Sequence, residues 1–243
     1  MVIIKLDTAS PYRLSFPEKK KPLDVVDTVR TFVTYEAGLP PEAQLPHTPL
    51  LVELLRQWDE NDEMRQAGEL QRTRAAAALE DLDERVRQMV RHIHRIVAAI
   101  SFDTPADAVQ WGFTYKQTTG NILLPETRRE HLFLLRHYIA EEQSRPPLER
   151  LPQPPLAEVI AIHDALRQQL RRRRAGQSQR KRAVAAAGPI IAAMHFYLQS
   201  AVSHLLTFQF EGALTPKLQN WGYEVKLVAP KRRATPAEPP AAA

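Results

Sequence analysis

Eight histidines, one acidic run and one basic run are the residues of this chain with the clearest capacity for chemistry. His92 and His94 stand two apart, and on a helix their directions differ by about 200°, so they cannot chelate one ion from the same face. No two histidines are four apart and no HExxH occurs, so no metal site is expected. The acidic run WDENDEM, Trp58 to Met64, resembles the start of a calcium loop, but counted from Asp59 its sixth position is Met64, where a glycine must turn the chain. Its twelfth position is Leu70, where a bidentate glutamate is needed. Nucleophile elbows, glycine-rich phosphate loops and dinucleotide fingerprints are all missing, and eight glycines leave little material for them. We therefore expect no catalytic residues, no metal and no cofactor, and read the protein as a non-enzyme.

Charge offers more. RRRRAGQSQRKR places Arg171, Arg172, Arg173, Arg174, Arg180, Lys181 and Arg182 together with no acid among them. Such a cluster can neutralise phosphates, each neutralised phosphate releasing condensed counterions. No aromatic residue is interleaved to stack bases. Asp59, Glu60, Asp62 and Glu63 form the complementary cluster, a few residues upstream of the corresponding position in an earlier stretch of the chain. Two patches of opposite sign could pair the chain's own halves, or support head-to-tail association with a second copy or another protein.

The elements that must position these clusters are written twice. RQAGELQRTRAAAAL at 65–79 returns as RRAGQSQRKRAVAAA at 173–187. LPHTPL at 45–50 matches LPQPPL at 151–156, Ser101-Phe102 matches Gln209-Phe210, and WGFTYK at 111–116 matches WGYEVK at 221–226. Gly68 pairs with Gly176 and Gly112 with Gly222. Ordered anchors at a nearly constant offset imply a tandem duplication.

Each copy predicts three helices. The first opens at Pro17-Glu18 or Pro125-Glu126 and carries Val25, Val26, Val29 and Val33, or Leu132, Leu134, Leu135 and Ile139. The second starts at Pro49 or Pro155 and should stop near Gly68 or Gly176, where glycine can take a left-handed cap. The third carries an apolar seam at steps of three and four: Leu79, Leu82, Val86, Met89, Ile93, Ile96 and Ile100 in one copy, and Ala187, Ile190, Met194, Tyr197, Ala201, His204 and Phe208 in the other. On the first seam's outer face, Asp81 with Arg85 and Asp83 with Arg87 form acid-first helix pairs. His204 then reads as a hydrogen-bonded core histidine. Gly188-Pro189 should interrupt or restart the last helix.

Trp-Gly-aromatic followed by alternating residues reads as a turn and a short strand, with the tryptophan closing a bundle end. The N-terminal VIIKL is of the same type, and the Pro/Ala-rich end from Lys231 has too little apolar surface to order itself. The expected fold is mainly α: tandem-duplicated three-helix units in a pseudo-twofold helical bundle, with short β segments after the Trp-Gly-aromatic motifs. The repeats are assigned to 1–117 and 118–230, with a disordered basic tail at 231–243. No cysteine is present, the N-terminus lacks a basic start before a long apolar region, and no uninterrupted apolar run approaches the ~20 residues of a membrane span. We expect a cytoplasmic protein with no membrane partner.

The functional expectation is a non-enzymatic scaffold or assembly protein, a homo-oligomer joined through the acidic and basic patches. The alternative is a nucleic-acid-binding accessory protein using an Arg-rich hairpin at 171–182. A net charge of +5, from 33 bases against 28 acids, attracts anions weakly and selects neither reading.

Overall fold

The computed structural model describes residues 10–227. VIIKL and the tail 231–243 lie outside the described residues. The described residues are mainly helical, with four α-helices among them: α1 (Pro22–Ala37), α2 (Thr48–Ile100), α3 (Arg128–Ser144) and α4 (Leu156–His204). A π turn at Leu205–Gln209 continues α4. Four short strands, β1 (Tyr12–Ser15), β2 (Thr114–Tyr115), β3 (Ile122–Leu123) and β4 (Glu224–Leu227), form two antiparallel pairs, β1 with β4 and β2 with β3. β2 and β4 follow the Trp-Gly-aromatic motifs directly, as the alternation predicts.

Helix starts follow local chemistry more closely than the first prolines suggest. Pro22 opens α1, and Thr127 caps α3 by accepting from the Glu130 amide while the Glu130 carboxylate accepts from the Thr127 amide. That reciprocal arrangement satisfies two donors at the helix start, so α3 begins after Pro125 and not at it.

The second and third predicted helices are one helix in each half. α2 runs unbroken past Gly68, and α4 runs unbroken past Gly176, so residues 171–182 form a helical segment and not a hairpin. The glycines serve close approach. A Cβ on Gly176 would lie 2.6 Å from the Gly68 carbonyl oxygen and 2.7 Å from the Arg72 amide nitrogen. A Cβ on Gly68 would lie 2.9 Å from both the Arg180 amide nitrogen and the Gly176 carbonyl oxygen. The two long helices thus cross backbone to backbone, which only glycine permits. Pro189 also sits inside α4. It and Ala185, whose carbonyl loses its helical partner, are both exposed, so water can take over that bond.

The seams are real and they drift. Leu79, Leu82, Val86, Met89 and Ile93 are buried as expected, but Val97 and Ser101 then replace Ile96 and Ile100, the latter half exposed. In α4, Ile191, Met194, Leu198, Ala201 and Leu205 are buried, Ile190 and Tyr197 only partly, and Phe208 is exposed. A straight helix slips about 20° per heptad against a 3.5-residue repeat, which moves the buried stripe one residue onward by the third heptad. Asp83 leaves Arg87 for a bidentate pair with Arg128, at 2.8 and 2.6 Å, and Arg87 turns to Glu84.

Two compact units result, one of residues up to Glu63 with those from Ala183 onward, the other Met64–Arg182. These boundaries differ from the sequence repeats 1–117 and 118–230 because α2 and α4 each continue through a position where a turn is expected. The first unit's core joins Val25, Val29, Phe32, Met194, Leu198 and Trp221. The second joins Val86, Ile93, Trp111, Leu134, Leu135 and Leu166. In each, the tryptophan is buried and the next glycine has positive φ, +89° at Gly112 and +82° at Gly222, where a Cβ would also strike His137 or Thr31.

Within Leu156–Gln209 an 18-residue window is apolar and long enough, by composition, to cross a membrane, and 22% of it is buried. The absence of an uninterrupted apolar run had hidden this segment, whose alanines and glycine dilute the signal. No other helix among the described residues passes that test.

Candidate nucleic-acid interface

The basic cluster becomes a groove once α3 is laid beside α4. His163, Arg167, Arg171 and Arg174 follow one another at helical steps of four, four and three, so they share one face of α4. Arg129 and Arg136, seven residues apart with Leu132 and Phe133 between them, face the same space from α3. Together with Leu170 these residues line a groove of about 520 Å³ inside the Met64–Arg182 unit. A second groove of about 570 Å³ shares Arg129 and Phe133 and continues over Leu123, Pro125, Glu126, Thr127 and Glu130.

What keeps these arginines available is the local placement of acids. Arg128 is committed to Asp83, Arg145 to Glu141 and Arg180 to Glu69. Among the described residues no carboxylate pairs with Arg129, Arg136, Arg167, Arg171 or Arg174, all of which are exposed. Five unpaired guanidinium groups around one concavity raise the local positive potential and present planar forks suited to phosphate oxygens. The floor is partly apolar: Leu132 and Leu170 pack against the core below, and His163 is buried with its Nδ1 3.0 Å from the Asp164 carboxylate.

Of the residues singled out by sequence, Arg171 and Arg174 enter this groove. Arg172 and Arg173 are exposed but lie roughly 100° and 200° around the helix from Arg171 and do not line it. Arg180 is held by Glu69 at 3.2 Å, and Lys181 and Arg182 are exposed beyond the glycine crossing. The acids are largely engaged within their own unit. Asp59 accepts from Arg30 at 2.5 Å, Glu60 pairs with Arg56, Asp62 is engaged as well, and Glu63 is exposed. Sequence reasoning missed Arg129, Phe133, Arg136, His163 and Arg167. The three-and-four spacing of Arg167, Arg171 and Arg174 was a usable signal, but it required treating the run as helix. The α3 residues could be added only by knowing which helix packs beside α4.

Comparison with protein-family models, with curated proteins and with solved structures finds no match in any of the three. The site must be read from its own geometry.

Other clusters have less to offer. His47 Nε2 and Ser200 Oγ are 2.8 Å apart in the first unit, the distance of a nucleophile and its base. However, His47 Nδ1 has no acid to orient the ring, and His47 is closer in character to a helix-to-loop tie. Its neighbour His204 lies against Phe208, with ring centroids 4.7 Å apart and the planes tilted by 47°, and is only partly buried, not the core histidine its seam position implied. No group of three or more metal-ligating side chains occurs among the described residues.

Proposed function

We propose that this chain is a non-enzymatic nucleic-acid-binding accessory protein that grips the phosphate backbone through the α3–α4 groove. The observation that carries the reading is the set of five arginines, Arg129, Arg136, Arg167, Arg171 and Arg174, that line one concavity without a carboxylate partner. Phosphate contacts of this kind fix register and carry little sequence information, so binding should be broadly sequence-tolerant. Assembly through complementary patches draws less support, since Asp59 and Glu60 already have arginine partners in their own unit.

The scaffold beneath it we take to be a tandem duplication with pseudo-twofold character whose copies are interleaved between the two compact units. Buried Glu36 accepts from the Leu45 amide at 2.6 Å, and buried Glu142 accepts from the Leu151 amide at 2.9 Å, the same bond 106 residues on. In the first unit the first repeat's α1 meets Trp221 of the second, and in the other unit the second repeat's α3 meets Trp111 of the first. Strand pairing follows the same exchange, β1 with β4 and β3 with β2. The duplication supplies two similar frames, of which one carries the arginine groove.

The test is substitution within the groove against substitution elsewhere. Arg167→Gln/Arg171→Gln/Arg174→Gln should weaken binding to DNA or RNA of unrelated sequences alike, by about 100-fold or more at low salt. Arg91→Gln/Arg95→Gln, on an exposed side of α2, should leave it within a few-fold of the parent. Equal losses in both variants would mean that net charge alone, and not the groove, attracts the ligand.

A further inference from the structure

Phe133 has no evident reason to be where it is. It is 50% exposed on α3, in the middle of an arginine-lined groove, and it lies at the junction of the two concavities. Its ring is braced from its own helix: the His137 ring centroid is 4.1 Å away and tilted by 51°, and the Arg136 guanidinium carbon lies 5.7 Å from the Phe133 centroid. An aromatic ring fixed on a helix, half bare and beside a cation, is a platform on which a planar π system can stack with little further loss of freedom.

The two concavities differ in charge. On the α4 side are the unpaired arginines. The other side shares Arg129 but adds Glu126 and Glu130, two carboxylates against one guanidinium, and the Glu130 carboxyl is held below its ordinary range chiefly by the backbone amides of Thr127 and Glu126, so it stays ionised. Phosphates are therefore attracted into the first concavity and repelled from the second, while a neutral base can cross the junction. A duplex cannot use that arrangement, because its bases are stacked face to face and offer only their edges in the grooves, so no base face is free to meet the ring. An unpaired strand can lay its backbone along Arg167, Arg171 and Arg174 and turn a base over Phe133 into the second concavity.

Resting on the phosphate-binding reading above, we infer that the groove selects single-stranded nucleic acid, with a base stacked on Phe133. Base–aromatic stacking of this kind is worth about tenfold in affinity per base. The acid-rimmed concavity beyond Phe133 accommodates any base that presents an amino group to Glu126 or Glu130, so cytosine, adenine and guanine fit it better than thymine or uracil.

Fluorescence anisotropy with a labelled oligonucleotide, measured alone and annealed to its complement, tests this on the full chain. The single strand should bind about tenfold more tightly than the duplex. Phe133→Leu should erase most of that preference while leaving the salt dependence of duplex binding unchanged. Phe133→Trp should retain it and add fluorescence quenching on mixing with the single strand, beyond any change that Trp58, Trp111 and Trp221 give in the parent. Equal affinity for both forms in the parent, or an unchanged preference in a folded Phe133→Leu variant, overturns the inference and leaves phosphate binding standing. If the parent binds neither form, the phosphate-binding reading fails and this inference fails with it.

Discussion

Glu36 shows how much a single side chain can organise here. Its carboxylate is fully buried and accepts hydrogen bonds from the Leu45 amide at 2.6 Å, the Thr48 hydroxyl at 2.8 Å and the Trp221 indole at 2.5 Å. Three donors from three places converge on one acceptor, and removing it leaves each of them unsatisfied. Glu36→Ala should cost about 3 kcal/mol or more in denaturant titration, whereas Glu142→Ala, which strands only the Leu151 amide, should cost about 1–3 kcal/mol. Neither glutamate was visible as a core residue in the sequence, because a charged side chain at a helix end is ordinarily solvated. The usable signal was their common place, nine residues before a matched Leu-Pro. The tryptophans were legible, since a large aromatic followed by a glycine twice over has few roles other than closing a core.

Histidine supplies a residue-scale pH prediction. Burial lowers the pKa of His47, with His204 adding to the effect and Glu36 opposing it, and burial likewise lowers that of His195, with Lys19 adding and the Pro17 carbonyl opposing. A histidine with a depressed folded pKa binds fewer protons when folded than when unfolded. Above about pH 6.5 both states are neutral and nothing is lost; as pH falls below that value the unfolded state protonates first, and stability declines until the folded pKa is passed. Thermal unfolding should therefore show lower stability at pH 5 than at pH 7. His47→Gln/His195→Gln should reduce this slope, and an unchanged slope would assign the acid sensitivity to other groups.

At the scale of elements, the helices were legible and their continuity was not. Apolar steps of three and four fix a helical face from sequence alone, but an Ala-Gly pair in such a pattern has two meanings. It can end a helix by taking a left-handed conformation, or it can admit another backbone within contact distance. Only the neighbouring helix decides, and Gly68 and Gly176 decide for each other. Gly176→Val should destabilise the protein by about 3 kcal/mol or more, since its side chain would begin 2.6 Å from a backbone oxygen that cannot move aside. Gly188→Ala is the internal control. Apart from its chain neighbours nothing lies within 4 Å of a Cβ there, and the gain in helix propensity is offset by the new Cβ meeting the Pro189 ring, so the change should stay within about 1 kcal/mol of neutral. The same continuity carries the helix of Arg167 to Arg174 on past Gly176, so these arginines stand on an unbroken rail, rising about 1.5 Å per residue with fixed side-chain directions.

At the scale of the whole molecule, the ordered anchors were readable in the sequence, but the compact units were not. Matched stretches mark what recurs along the chain and a unit marks what packs, and the two differ because α2 and α4 each span a unit boundary. The candidate site suffered most from this, because Arg129, Leu132, Phe133 and Arg136 come from α3 and the rest of its lining from α4, apart in sequence and united only by packing. The central claim is that these guanidinium groups act together on phosphates. The most direct measurement is the slope of log affinity against log salt for a single-stranded oligonucleotide, in the parent and in Arg167→Gln/Arg171→Gln/Arg174→Gln. Five phosphate contacts predict a parental slope of about −3.5, and removing three should flatten it by about 2. A parental slope near zero, or a triple variant whose slope matches the parent's, would contradict the account.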